Sequence, residues 1–364
     1  MRTASLAFVS LLFSLQPVLG AETGSTPAVG DSKTFGDWTV GCDNLRACTA
    51  IGLVADGAEE LAYVKVLRDG SAAAAPTVSV IYLTSGDENE AALDLALSGK
   101  ETRLPVGRLQ ASGLNGYLSA TIDPETADAF LGALVKGDAL SVRENGQGKP
   151  TLVSLRGMSA ALRFMDAEQG RDGGVTALVA RGDKPAAAVS PPPAPPPLRV
   201  LKLTAIDPAP PLPKGISATG EDCDGKAEPE AYETGDGRRI FGVICYSAAY
   251  NVGVEYWLSD EKGVRRLSFR TGPEAGPSDF DGLVNAGLNE HGLTLIEFDR
   301  ARGIGDCGTT SSWGFDGEAF QLVGLASMGE CRGVRAEDWP VLYTRAIEPR
   351  ADGEPDMPGT RSQP

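Results

Sequence analysis

Carboxylates are plentiful in this chain and other reactive groups are scarce. Its 364 residues hold 49 acids, 33 bases and one histidine, His291. A single imidazole leaves acid–base or zinc chemistry almost nothing to work with. No Gly-x-Ser-x-Gly elbow announces a serine nucleophile. Two carboxylates flanking a glycosidic bond can cleave it, so a secreted hydrolase using paired carboxylates stays open, although spacing nominates no pair. Asp279-x-Asp281-Gly282 and Asp222-x-Asp224-Gly225 resemble fragments of calcium loops, and Glu290 falls at the twelfth place counted from Asp279. Yet Gly282 takes the fourth place instead of the sixth, and Leu283 occupies a place that needs an oxygen ligand. A solvated acidic turn is the plainer reading, and a calcium-stabilised module the alternative. Gly303-x-Gly305-x-x-Gly308 matches the dinucleotide fingerprint by letter. That fingerprint works only between a strand and a helix, and Thr309-Thr310-Ser311-Ser312 is poor helix material. No catalytic residue, cofactor or metal is assigned. The loop from Gly303 to Phe315 is glycine-rich, polar and aromatic together, so Gly303, Gly305, Asp306, Trp313 and Phe315 are the candidate recognition residues.

The cysteines and the N-terminus point to an oxidising compartment. Arg2 followed by the apolar run Leu6–Phe13 reads as a signal peptide over 1–20, cleaved before Ala21. No later stretch approaches the roughly 20 apolar residues of a membrane-spanning helix. Six cysteines, Cys42, Cys48, Cys223, Cys245, Cys307 and Cys331, read as three disulfides in an exported protein. Cys42 pairs with Cys48 if the two halves fold separately. The other four allow three connectivities, of which Cys223–Cys245 with Cys307–Cys331 is the one adopted. A net charge of −16 repels phosphate backbones, which argues against nucleic acid.

Composition divides the mature chain. Residues 21–32 read as a flexible N-terminus and 350–364 as a disordered tail. Between 183 and 213, Ser190-Pro191-Pro192-Pro193-Ala194-Pro195-Pro196-Pro197, followed by Pro208, Pro210, Pro211 and Pro213, favours an extended spacer, with Leu198–Leu203 as a short edge strand. The unit before it, 33–182, opens with a strand over Thr34–Val40 and a partner over Thr49–Val54, joined by a turn that Cys42 and Cys48 staple. Asp123-Pro124-Glu125 signals a helix start, and Ala127, Phe130, Leu131 and Leu134 follow at helical spacing. Met158, Ala161, Leu162 and Met165 form a second helical stripe. These features predict an α+β domain with helices packed on an antiparallel sheet. The unit after the spacer, 214–349, carries evenly spaced β segments and reads as a mostly antiparallel β domain rich in disulfides.

Phe35-Gly36-Asp37-Trp38-Thr39-Val40-Gly41-Cys42-Asp43-Asn44 resembles the opening of a proteobacterial secreted family, domain-of-unknown-function family 1176. Gly303-Ile304-Gly305-Asp306-Cys307-Gly308, Trp313-Gly314-Phe315, Cys331-Arg332-Gly333 and Asp338-Trp339-Pro340 are similar to its later signature. The resemblance implies a periplasmic protein with six cysteines and brings no catalytic residues. Phe35-Gly36-Asp37-Trp38 and Val153–Leu162 also resemble the ends of invasion-associated locus B proteins. The turn Cys42-Asp43-Asn44 and the second unit depart from that pattern, so no invasion role is carried over.

The sequence thus reads as an exported two-unit protein that binds a partner, another envelope protein or a cell-wall component, without catalysing a reaction. A proteolytic peptide map without reduction checks the division. Cys42 is expected in a linked peptide with Cys48, and linkage to any cysteine beyond 213 overturns the two-unit reading.

Overall fold

β-branched and aromatic residues fill the segments before Asp123, and they pair into a single sheet. The structure, a computed structural model, describes residues 28–84, 86, 89–98, 104, 107–216, 228–271 and 282–350. The expected leader, the tail beyond Arg350, Cys223 and the acidic turns at 222–225 and 279–281 lie outside the described residues. Strands β1 (Ser32–Phe35), β2 (Trp38–Cys42), β3 (Cys48–Leu53), β4 (Ala62–Arg68) and β5 (Thr77–Leu83) run as an antiparallel meander. They continue into β6 (Glu90–Ser98), β7 (Arg108–Leu114), β8 (Tyr117–Thr121), β9 (Ala139–Glu144) and β10 (Thr151–Ser154), in the order β5-β8-β7-β6-β9-β10. The single strand expected over Thr34–Val40 is a hairpin instead. Gly36 turns at φ +61°, a conformation that a side chain resists. The sheet curls until its last strand returns to its beginning: Val54 bridges Val153, and the Trp38 indole donates to the Ser154 carbonyl at 2.9 Å.

The predicted α+β architecture is corrected here. Strands hold 46% of the protein and helices 10%, so the fold is mostly β. Both helical stripes are real. Helix α1 (Pro124–Leu134) starts on Asp123, whose carboxylate accepts from the Glu125 amide, and α2 (Met158–Glu168) buries Met158, Ala161, Leu162 and Met165. Each helix has 11 residues, and two of them side by side cover a band about 20 Å wide. Ten strands at about 4.8 Å spacing need more than twice that cover. The sheet supplies it by curling over itself, so Val64, Val80, Leu93, Leu118 and Leu140 share one core.

After the proline-rich stretch come β11 (Pro197–Val200) and β12 (Leu203–Ala205), then β13 (Glu230–Thr234), β14 (Arg239–Ser247), β15 (Val252–Asp260) and β16 (Gly263–Arg266). The short β17 (Phe269–Arg270), β18 (Leu283–Val284) and β19 (Gly287–Leu288) precede β20 (Leu295–Arg300), β21 (Gly308–Phe315), β22 (Phe320–Met328), β23 (Val341–Thr344) and β24 (Ala346–Pro349). One sheet has the order β12-β13-β14-β15-β16 with β18 on β15. The other has β17-β22-β21-β20-β19 with β23 on β22. Ile240, Tyr256 and Leu258 of the first share a core with Leu295, Phe315 and Phe320 of the second, a sheet-on-sheet packing. The proline-rich stretch is tied down at its end. β11 pairs with β24, and Gly314 leaves room for Val200, whose Cγ1 lies 2.5 Å from where a β-carbon would sit.

The two halves meet over a buried apolar cluster. Ile51, Leu53, Tyr63 and Ile81 of the curled sheet pack against Met328, Val334 and Trp339. Asp338 accepts from the Tyr63 hydroxyl at 2.5 Å and pairs with Lys65 and with Arg335, the latter at 2.8 Å. Arg332 reaches Asp37 at 2.8 Å and the Val54 carbonyl at 3.1 Å. The Asn44 side chain accepts from the Thr344 amide at 2.8 Å and donates to the Thr344 carbonyl at 3.0 Å, taking the place of a neighbouring strand on β23. The Gly30 amide, within the N-terminal stretch expected to be flexible, donates to the Leu342 carbonyl at 2.8 Å.

Burial raises the Asp37 carboxyl, but hydrogen bonds from Arg156, Ser154 and Arg332 outweigh it and hold the group at about 2. Asp338 is likewise held below its ordinary value: burial raises it and bonds from Lys65, Tyr63 and Arg335 win. The stability these carboxylates contribute is therefore complete above about pH 4, where unfolded carboxylates are ionised, and is lost as pH falls through the folded value. Asp37 alone is expected to lose about 1 kcal/mol between pH 4 and pH 2, part of its shift being screened at the exposed Arg156. Denaturant titrations across this range should show a shallower acid slope for Asp37→Asn; an unchanged slope would refute the assignment.

Candidate functional site

The loop singled out by sequence divides its residues between two places. The segment Ala301–Cys307 links β20 to β21, and the fingerprint match ends where β21 begins at Gly308. Asp306 is buried; it pairs with Arg302 at 2.5 Å and accepts from the Gly333 amide at 2.6 Å. Cys307 is bonded to Cys331 and Cys42 to Cys48. Cys245 is also disulfide-bonded, and Cys223 lies outside the described residues. Gly305 turns at φ +70° beside the Phe298 ring. Gly303 lies next to Tyr250, and Ile304 between the two glycines is 73% exposed. Trp313 and Phe315 point the other way, into the core between the two sheets. The structure therefore does not bring the five candidate residues to one surface. His291 is exposed and stands 3.4 Å from Glu290.

A different group of polar residues converges inside the second half. Alternation along β13 sends Glu230 and Tyr232 to the same side. The Tyr232 hydroxyl donates to Glu230 Oε2 at 2.8 Å, and the fully buried Tyr256 of β15 donates to the same oxygen at 3.3 Å. From the facing sheet, β20 contributes Glu297. Its Oε2 accepts from the Ser311 hydroxyl at 2.5 Å and from the Trp313 indole at 3.3 Å, and its Oε1 accepts from the Val284 amide at 3.0 Å. Burial, then the Glu230 charge, hold the Tyr256 and Tyr232 hydroxyls well above the ordinary tyrosine range. Glu297 adds to the effect on Tyr256, which places a buried phenol within the field of both acids. Both tyrosines thus remain donors across the physiological range.

The Glu230 end of this cluster opens into a pocket of about 510 Å³. Ile206, Pro208 and Leu288 give it apolar wall, and Asp207, Glu228, Glu230 and Tyr232 give it acid and aromatic surface. Among the described residues, no lysine or arginine lines it and none forms an ion pair with these three carboxylates. A concave surface carrying one sign of charge concentrates counter-ions. No residue of β13 was singled out by sequence, and so this site was missed. The available signal was Glu230-Ala231-Tyr232-Glu233-Thr234, an alternating run that puts an acid on the tyrosine's face.

The family model described as a protein of unknown function, DUF1176, matches residues 32–346. The chain belongs to this family. The uncharacterized protein YpfG of Escherichia coli (strain K12) is 29% identical over 370 residues, covering 92% of this chain and 98% of that one. No solved structure matches. The DUF1176 match begins with β1 and ends at the first residue of β24, so it spans both halves and the joint between them.

Tyr256→Phe removes one of the two hydroxyls that hold Glu230. It is expected to cost about 1 kcal/mol, the usual net value of one hydrogen bond, with fold and disulfides unchanged. Urea midpoints of variant and parent measure it, and a variant as stable as the parent would show that the 3.3 Å contact contributes nothing.

Proposed function

We propose that this DUF1176 protein is an exported, non-enzymatic binding module of the cell envelope, and that the Glu230 pocket is where it takes a ligand bearing an aliphatic ammonium or guanidinium group. The observation that carries the reading is Glu230 itself, a carboxylate fixed by two tyrosine hydroxyls and facing a pocket, with no cation paired to it among the described residues. Tyr232 and the walls at Ile206 and Leu288 suit the alkyl part of such a ligand, and the ring face of a tyrosine also attracts a cation. The leader over 1–20 and the disulfides support a periplasmic location, where thiols oxidise. No helix among the described residues is long and apolar enough to cross a membrane. The separate cores of the two halves support modules over 33–182 and 214–349, with Leu201 and Leu203 at the end of the 183–213 stretch packed into the second.

A carboxylate hydrolase is the second reading, favoured by the one feature that Glu230 and Glu297 both act on Tyr256. The binding reading is preferred because each of these acids is already held by fixed donors, an arrangement made for contact. In calorimetric titrations with cadaverine and with Nα-acetyl-lysine amide, binding should weaken at least about tenfold in Glu230→Gln, close to 1.4 kcal/mol, and weaken with added salt. Equal affinity in the variant would sink the pocket assignment. Turnover of an oligosaccharide abolished by Glu230→Gln or Glu297→Gln would replace binding with hydrolysis.

A further inference from the structure

We propose that the Cys307–Cys331 disulfide is a latch on the joint, so that the two halves close on one another only after it has formed. Between the end of β22 at Met328 and the start of β23 at Val341, the chain leaves the sheet, and this excursion carries most of what the C-terminal half presents to its partner half. Arg332 bonds Asp37 and the Val54 carbonyl; Gly333 lies against Leu61; Arg335 and Asp338 hold Tyr63; Trp339 fills the shared apolar cluster. The excursion is tied to its own half near its start by Cys331–Cys307 and by the Gly333 amide on Asp306, the residue before Cys307. Near its end, the Pro340 carbonyl accepts from Ser327 at 3.1 Å. Without the disulfide, the start of the excursion keeps the Gly333–Asp306 hydrogen bond and, beyond it, the packing of Val334 and Trp339 on Met328 and Phe298, so more loop entropy must be lost to order it.

The other side of the joint is built the same way. The Cys42–Cys48 bond closes the turn that holds Asp43 and Asn44, and Asp43 Oδ1 accepts the Leu45 and Ala47 amides inside it. Asp43 Oδ2 and the Asn44 amide then take Thr344. Before oxidation, Ile51, Leu53 and Ile81 on the outer side of the curled sheet have no ordered partner to cover them. Closure is a thiol–disulfide exchange: the two thiols pass two electrons and two protons to an acceptor disulfide, which leaves as a dithiol.

The test is hydrogen exchange by mass spectrometry on the whole mature chain, comparing parent with the double variant Cys307→Ser/Cys331→Ser. A latch predicts exchange faster by about tenfold or more in 329–340, 51–54 and around Tyr63, with β14–β15 and β5–β8 as protected as in the parent. Asp338→Asn, which weakens the joint and leaves all disulfides intact, should open the same peptides. Unchanged protection of 329–340 in the double variant overturns the proposal. So does exchange that rises through both cores together, since the bond would then staple the whole fold and not the joint.

Discussion

Asp338 stands where three donors from two halves of the chain meet. Tyr63 and Lys65 come from β4, and Arg335 lies three residues before it. A buried carboxylate is costly to desolvate unless donors meet it, and here two of the three arrive only when the halves close. Trp339, the next residue, supplies the apolar contact that excludes water from the same place. Charge satisfaction and apolar burial therefore depend on one another, and the relative placement of the two sheet systems follows from both.

The signature residues acquire physical reasons in this light. Asp43 folds its own turn and reaches Thr344, Asn44 imitates a strand against β23, and Asp37 receives Arg332. Asp306 holds the Gly333 amide beside the disulfide that anchors the excursion. Of the residues that resembled a recognition loop, Asp306 serves the internal joint through Gly333, while Trp313 and Phe315 fill the core between the two sheets. Ile304 and its neighbour Gly303 face solvent, at the tip of a loop closed by the Ala301–Cys307 and Gly305–Arg302 backbone bonds.

The acid–tyrosine cluster is the opposite case, polar groups gathered inside an aromatic core without a structural partner half to satisfy. Phe269 stacks on Phe320 at 5.1 Å, and Tyr256 meets both rings edge-on. Placing Glu230 and Glu297 beside such a core costs desolvation, which the tyrosine, serine and indole donors offset. A core that needed only stability would be served as well by apolar residues at those positions. The polar placement is what makes the adjoining pocket worth assigning to a ligand.

Local features were determined by the sequence alone. Asp123-Pro124 starts α1 because an Asp cap and a proline act within one turn. Cys42 and Cys48 pair across a short turn because little chain separates them. The helical stripe from Met158 to Met165 is buried as its periodicity requires. What escaped, the adopted Cys307–Cys331 pairing aside, was what joins distant segments. Counting strands and helices did not reveal that ten strands curl far enough to cover their own face, because curvature accumulates strand by strand and leaves no mark at any one residue. Nor did alternation reveal that Tyr63, Asp338, Glu230 and Tyr256 find partners from other strands. A side chain's periodicity fixes which face it takes, while its partner is chosen by the register and packing of elements up to hundreds of residues apart, and that is settled only when the tertiary structure forms.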